Sequence, residues 1–168
     1  MLTTINNFQD EITFSIESKE ELIQSFRPAD QKKLILPKDL NFPLNVRSYF
    51  SWKESSAVYT YLVFKKPNWD LSRGIIFKRV GQGDAPTGGL CGWCHSYGGS
   101  DEIGMLSVAM NSNVSCSYIL CHDLRCIEKI EEASARSGKH PERAIHLLYS
   151  RMDNFFENLV NYKPDSVT

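Results

Sequence analysis

Two closely spaced pairs of cysteines are the residues of this chain best suited to chemistry. Two residues separate Cys91 from Cys94, and four separate Cys121 from Cys126. Two such pairs, joined by a segment able to form a hairpin, are typical of a tetrahedral zinc site. Four thiolates complete the tetrahedron and leave no position for a water molecule. The spacing therefore predicts one structural Zn²⁺ rather than a catalytic metal.

One of the four ligands has a competitor, because Cys116 and Cys121 are also separated by four residues. We favour Cys126, because it should lie in the first turn of a helix, where the amide dipoles stabilise a thiolate. Cys116 should instead point from within a strand. His95 and His122 adjoin predicted ligands and are alternative donors. Without a metal, the cysteines would be buried thiols that pack as small apolar groups, or disulfides, which fit a secreted protein.

The composition is that of an ordinary globular domain. The chain has 168 residues, 42% of them hydrophobic, and its 19 basic and 20 acidic residues give a net charge of -1. This balance argues against a broad electrostatic surface for nucleic acid. No apolar run approaches the length of a membrane span, and the first residues do not resemble a signal peptide. We therefore expect a soluble, cytoplasmic protein, where a reducing environment favours zinc thiolates.

The first half of the chain predicts short helices followed by a hairpin. Ser18 and Glu21 form a capping box that starts a helix, and Pro28 favours a second one. Residues 37–56 are punctuated by prolines and asparagines and are predicted to be an irregular segment laid over the core, with Trp52 as a core side chain. Residues 57–64 and 73–80 are rich in β-branched and aromatic side chains and predict two paired strands.

The second half predicts a zinc finger followed by two helices. Residues 103–110 and 114–120 should form the hairpin that links the cysteine pairs, and a helix over 127–136 should end at Gly138. A longer helix should begin at Pro141. Its apolar stripe should pack on the domain's own core, with a dimer interface as the alternative. The stripe comprises Ile145, Leu148, Met152, Phe155 and Leu159.

This order of elements predicts the α+β class: a small antiparallel sheet with a treble-clef zinc finger, short N-terminal helices and a C-terminal helical hairpin. We expect one domain over residues 1–130, containing the finger over 88–130, and a helical extension over 131–168.

No catalytic motif is present in the sequence. It lacks the H-E-x-x-H and G-x-S-x-G motifs. The zinc-deaminase pattern is also missing, because no H-x-E lies upstream of the cysteines and no proline directly precedes Cys91. The glycine-rich segment 81–89 lacks the Lys-Ser/Thr of a phosphate-binding loop and is followed by cysteines rather than a helix. We expect that the chain is not an enzyme. An unfamiliar zinc-dependent site, or a reactive Cys116 thiol, is the enzymatic alternative.

Aromatic side chains near the cysteines are candidates for a protein-binding surface, because aromatic residues on a rigid rim are common interface anchors. Lys78, Arg79 and Arg125 would supply charge at the edge of this surface. The predicted contact residues are Trp93, His95, Tyr97 and Tyr118, and the alternative for each is packing against the finger's own hairpin.

Five segments together resemble the elongation factor G-binding protein family, which has a C-terminal treble-clef zinc finger and includes the fusidic-acid resistance proteins. The most specific are Cys91–His95, which reads CGWCH, and Tyr118–Cys126, which reads YILCHDLRC. The others are Ser18–Phe26, Lys33–Pro37 and Tyr49–Trp52.

The resemblance implies zinc at Cys91, Cys94, Cys121 and Cys126, in agreement with the spacing. It also implies a protein partner, elongation factor G, and through it an indirect connection to the ribosome. On this basis we expect a zinc-stabilised module that binds the factor and promotes its release from the ribosome. The alternative is a zinc module that binds RNA or the ribosome directly.

Overall fold

A computed structural model describes residues 12–81, 89–111 and 113–161. Residues 1–11 and most of the glycine-rich segment 81–89 lie outside this range, so the predictions made for them have no structural counterpart here. The elements in chain order are β1 Thr13–Ile16, α1 Lys19–Gln24, α2 Pro28–Gln31, β2 Leu44–Arg47, β3 Tyr49–Lys53, β4 Tyr59–Phe64, β5 Arg73–Arg79, β6 Gly89–Leu90, β7 Tyr97–Gly98, β8 Ile103–Ala109, β9 Ser115–Cys121, α3 Cys126–Ser137 and α4 Glu142–Asn161.

A five-stranded antiparallel sheet forms the centre of the fold, in the order β3-β4-β5-β8-β9. Strands β4 and β5 pair from Tyr59–Lys78 to Phe64–Arg73, which confirms the predicted hairpin. Strands β8 and β9 pair along their whole length and form the second predicted hairpin. Two small ribbons, β1–β2 and β6–β7, complete the strands of the described residues. With the helices, this confirms the α+β class.

The sheet separates two hydrophobic clusters, because neighbouring residues of a strand point to opposite faces. On β4, Leu62 and Phe64 join the cluster that contains the cysteines and α4. Tyr61 and Val63 join the other cluster, which is covered by the N-terminal elements. Trp52 lies in this second cluster and stacks on Tyr61 with ring centroids 4.9 Å apart, which confirms the core position predicted for it.

The prediction of an irregular segment over residues 37–56 is wrong, because the segment contains β2 and β3. Their partners are remote in sequence: β2 pairs with β1, and β3 pairs with β4. Both faces of β3 are covered, so apolar residues occur on each and the alternation that identifies a strand is hidden. Ser48, with a φ of 70°, separates the two strands.

The predicted capping box is present in part at the start of α1, because the Glu21 side chain reaches the amide of Glu17 rather than that of the N-cap residue Ser18. The Glu21 amide donates to Ser18 Oγ at 3.1 Å, and the Glu21 carboxylate accepts from the Glu17 amide at 2.6 Å. The second helix begins at Pro28, as predicted, but ends at Gln31. These short elements fix the position of Phe26, which lies between them and is buried against Trp52 and Tyr61.

The two C-terminal helices agree with the sequence pattern. Helix α3 ends at Gly138, whose φ of 69° is left-handed and suits glycine. Leu148, Met152 and Phe155 of α4 are buried, and Ile145 and Leu159 pack beside them. The stripe therefore packs on the domain's own core, although the predicted division at residue 130 stays a prediction. None of the helices in the described ranges has the length and apolar character needed to cross a membrane.

Gly74 occupies a close approach between β5 and the α1–α2 connection. A Cβ added there would lie 2.6 Å from the Phe26 ring, which is held between Trp52 and Tyr61. We expect Gly74→Ala to lower the free energy of unfolding by about 1–3 kcal/mol, as overpacking does in a filled core. Gly99→Ala is the matched control, because a Cβ at Gly99 meets nothing within 4 Å. Urea denaturation of both variants checks this, and equal stability would contradict the close packing.

Candidate metal centre

The four predicted ligands converge at one point. The Sγ atoms of Cys91, Cys94, Cys121 and Cys126 all lie within 4.8 Å of one another. Cys91 Sγ lies 3.8 Å from Cys126 Sγ, and Cys94 Sγ lies 3.6 Å from Cys121 Sγ. Zn–S bonds of about 2.3 Å in a tetrahedron place neighbouring sulfurs about 3.8 Å apart. The separations are too long for disulfides and fit one structural zinc ion.

The first cysteine pair sits on a tight turn between β6 and β7. The His95 amide donates to the Cys91 carbonyl at 2.9 Å, and the Cys91 amide donates to the Ser96 carbonyl at 3.0 Å. The Trp93 amide donates to Cys91 Sγ at 3.4 Å. This last bond favours the thiolate form of Cys91, because a negatively charged sulfur is the better acceptor.

The second pair is supplied by a strand end and a helix start. Cys121 is the last residue of β9, and Cys126 is the first residue of α3. Cys116 is the second residue of β9, opposite Val108, and is outside the group of four. Cys126 therefore lies in the first turn of a helix, as predicted, and it is the residue that joins the group of four.

The two neighbouring histidines are not part of the group of four. His95 is exposed on the turn. The buried His122 ring has its Nδ1 3.1 Å from the Asp101 carbonyl, and burial lowers its pKa, so the neutral ring is favoured. A Cβ at Gly104 would lie 2.5 Å from His122 Nε2, so the glycine makes room for the ring. The buried His122 ring thus helps to hold the loop between Cys121 and Cys126.

The four cysteine thiols strongly shift one another's pKa values. Hydrogen bonding from the Cys121 and Cys126 thiols lowers the pKa of Cys91 to about 7. Similar bonds lower the pKa of Cys94 further, whereas contact with Cys121 raises that of Cys126. Like charges this close cannot all form without compensation. A divalent cation at the centre supplies that compensation and allows all four sulfurs to be thiolates.

Three hydroxyl groups of β3 and β4 hold the loop between Cys121 and Cys126, and no sequence pattern predicted these contacts. Thr60 Oγ1 donates to the His122 carbonyl at 2.7 Å, and Ser51 Oγ donates to the Asp123 carbonyl at 3.3 Å. The Tyr49 hydroxyl donates to the Leu124 carbonyl. Three consecutive carbonyls are therefore fixed by the central sheet. Tyr49 and Ser51 were missed because residues 37–56 were predicted to be irregular, whereas Thr60 lies in a correctly predicted strand whose hydroxyl partner is remote in sequence.

The Tyr49 hydroxyl also accepts a hydrogen bond from the Cys126 amide at 3.0 Å. It thereby serves the first turn of α3, whose N-cap residue Arg125 makes no side-chain cap bond. Burial raises the pKa of Tyr49 well above its usual value, so the hydroxyl keeps the proton that it donates to Leu124.

We expect Tyr49→Phe to lower the free energy of unfolding by about 1–3 kcal/mol, because it leaves a buried carbonyl and a buried amide without their partner. Zinc transfer to a chromogenic chelator should also become faster. Tyr59→Phe, on the opposite face of the sheet, is the control. If zinc transfer from Tyr49→Phe matches that of the control, the hydroxyl does not hold the ligand loop.

The four residues predicted to contact a partner occupy different environments. Trp93 is only 3% exposed and packs edge-on against Phe77 and Phe155. Tyr118 is half-buried against Phe155. His95 and Tyr97 are exposed, Tyr97 to 84%. In this structure Trp93 faces the core, which does not fit the predicted surface role, while His95 and Tyr97 are accessible.

The three cations predicted for the edge of the binding surface also differ in their environments. Lys78 and Arg125 are exposed. Arg79 Nη2 donates to the Ser100 carbonyl at 3.3 Å and so joins β5 to the turn before β8. These positions place two of the three cations where a partner could reach them.

Comparison with known proteins agrees with the geometry. The family model described as the FBP C-terminal treble-clef zinc-finger matches residues 19–162. The match includes α1, all four cysteines and α4. No curated protein matches the chain.

Proposed function

The chain belongs to the FBP C-terminal treble-clef zinc-finger family, and we propose on this premise that it is a zinc-stabilised adaptor that binds a translation factor, elongation factor G. The partner is suggested by the resemblance of the cysteine segments to elongation factor G-binding proteins. The proposed consequence is release of the factor from the ribosome, in the cytosol, and the proposal assigns no catalytic step to the chain.

An exposed apolar surface on the finger is the observation that carries the proposal. We call it the finger patch and define it as Leu90, Tyr97, Met105 and Ile119. Leu90 and Met105 are 41% and 45% exposed, and Ile119 is 48% exposed. A group of large apolar side chains left open to solvent is typical of a protein-interaction site.

Backbone contacts hold the two halves of the finger patch next to each other. Leu90 pairs with Tyr97 across the β6–β7 ribbon, and Met105 pairs with Ile119 across the β8–β9 hairpin. The Gly92 amide donates to the Ile119 carbonyl at 2.8 Å and joins the two hairpins. Zinc would fix the turn that carries Leu90 and Tyr97 relative to β9. A rigid patch of this kind binds with a smaller loss of conformational entropy than a mobile one.

A binding measurement with purified elongation factor G tests the proposal. We expect a complex at micromolar concentrations in isothermal titration calorimetry. The double variant Tyr97→Ala with Ile119→Ser should bind at least about tenfold more weakly, because it removes apolar anchors from the interface.

Leu71→Ser is the matched control, because Leu71 is 74% exposed in the β4–β5 turn, outside the finger patch. It should bind as tightly as the unaltered protein. No complex at micromolar concentrations would reject the partner, and equal losses in the double variant and the control would reject the finger patch.

Direct RNA binding is supported by one local feature. Arg136, Lys139 and Arg143 are exposed around the turn between α3 and α4. Such binding should weaken steeply as salt is raised, because counterions are released from the phosphates. The net charge of -1 makes this the weaker candidate.

A further inference from the structure

A cavity of about 330 Å³ lies between the two hydrophobic clusters, at the point where β5 and β8 separate. These strands pair only at Lys78–Ser107 and Arg79–Leu106. Towards the other end of β5 they diverge, and the space between them is lined by Ile75 from β5 and Val108 from β8. Ligand sites are common between separately packed parts of a protein, and the volume of this cavity lies at the lower end of the usual range for ligand pockets.

Specific hydrogen bonds span the gap. The Gly74 amide donates to the Ser25 carbonyl at 2.7 Å. Arg27 donates to the Met110 carbonyl at 3.1 Å and to the Ala109 carbonyl at 2.8 Å. The α1–α2 connection therefore satisfies backbone groups of both diverging strands. The separation of the strands is part of the hydrogen-bonded structure rather than a packing fault.

The lining is apolar inside and basic at its exposed edge. The buried lining side chains are Phe26, Ile75, Val108, Met110 and Phe156. The charged residues of the lining are Arg27 and Arg73, which are both exposed, and the lining contains no acidic residue.

The two arginines differ in their partners. The Arg27 guanidinium already binds Asp30 at 2.7 Å and the carbonyls of Ala109 and Met110. Arg73 instead has its guanidinium carbon over the Trp69 ring, 4.6 Å from the ring centroid, and its side chain makes no hydrogen bond or ion pair with the residues that the structure describes. The N–H groups of a guanidinium without such partners are available to bind a carboxylate with two parallel hydrogen bonds.

We propose that this cavity binds a small amphipathic carboxylate, with its aliphatic chain among the buried apolar side chains and its carboxylate on Arg73. At about 30 Å³ for each water-sized group, the volume holds a chain of roughly ten carbon atoms. The basic edge selects an anionic head, and the absence of polar groups among the buried lining side chains selects an apolar tail over a sugar or nucleotide.

Titration of the zinc-loaded protein with decanoate tests the assignment, with heat and tryptophan fluorescence as readouts. Trp69 contacts both Arg73 and Phe156, so its emission should change on binding. Decanoate should bind at least about tenfold more tightly than decanol, which lacks the charge. Arg73→Gln should remove this preference, and Arg143→Gln, on the exposed start of α4, should keep it. Val108→Phe, which fills the cavity, should weaken both compounds if its zinc content and melting temperature are unchanged.

Three results would overturn the assignment. The first is no saturable binding of decanoate up to millimolar concentration. The second is equal decanoate affinity in Arg73→Gln and in the unaltered protein. The third is tighter binding of N-acetyl-leucyl-leucine than of decanoate, which would assign the cavity to a polypeptide terminus. Because Arg73 and Val108 are outside the finger patch, loss of elongation factor G binding is not expected in any of these variants.

Discussion

Cys126→Ser is expected to abolish stoichiometric zinc binding and to unfold the finger. Structural zinc sites of this kind contribute on the order of 10 kcal/mol, and the whole stability of a domain is about 5–15 kcal/mol. The loss should spread beyond the finger, because Cys91, Cys121 and Cys126 are buried in the same cluster as Phe77 and Phe155. Native mass spectrometry for zinc and near-ultraviolet circular dichroism for side-chain packing measure the two effects.

Cys116→Ser is the matched control for this experiment. It changes a cysteine of β9 that lies outside the group of four, so it should retain one zinc ion and near-native stability. Removing zinc from the unaltered protein with a chelator should reproduce the Cys126→Ser result. Zinc loss in Cys116→Ser with retention in Cys126→Ser would reverse the ligand assignment.

Phe155→Ala is expected to lower the free energy of unfolding by about 3–5 kcal/mol, the usual cost of truncating a buried aromatic residue. Its ring lies 4.8 Å from that of Tyr118 and 5.4 Å from that of Trp93. It also stacks on Phe77 at 5.7 Å. Phe155 thereby joins α4 to the cysteine turn. Arg151 reinforces this contact, because it donates to the Trp93 carbonyl at 2.7 Å.

Asn154→Ala, at the exposed neighbouring position of α4, controls for helix propensity. Urea denaturation of both variants gives the difference in stability, and chelator competition shows whether zinc is released more readily. A loss below about 1 kcal/mol in Phe155→Ala would mean that α4 is an appendage, as the predicted division at residue 130 supposes.

The features predicted well from the sequence depend on local chemistry. Cysteine spacing identified the zinc site, since two of its ligands lie within one turn and two flank one loop. Ser18 with Glu21 identified the start of α1, and Gly138 identified the end of α3. The stripe on α4 was visible because a helix repeats its buried positions over 20 residues.

The features that were missed depend on partners distant in sequence. Strands β2 and β3 became strands by pairing with β1 and β4, and local alternation did not reveal them. The Tyr49, Ser51 and Thr60 hydroxyls reach carbonyls more than 60 residues away. Nothing in their own segments indicates those acceptors.

Trp93 illustrates a different difficulty. An aromatic residue on a tight turn has the same local sequence whether it faces a partner or the protein's own core. Helix α4, which covers Trp93, begins almost 50 residues later. The exposed residues of the finger patch present the same difficulty, because Met105 and Ile119 resemble core positions in an alternating strand. Only the order of the sheet shows that the N-terminal elements leave them uncovered.

Zinc K-edge X-ray absorption of the purified protein most directly tests the central claim, a closed four-thiolate centre that shapes a binding surface. We predict a first shell of four sulfur atoms at about 2.3 Å and no lighter ligand. A shell of three sulfurs with one nitrogen or oxygen at about 2.0–2.1 Å would contradict it. That result would reopen the possibility of a metal site with an exchangeable position.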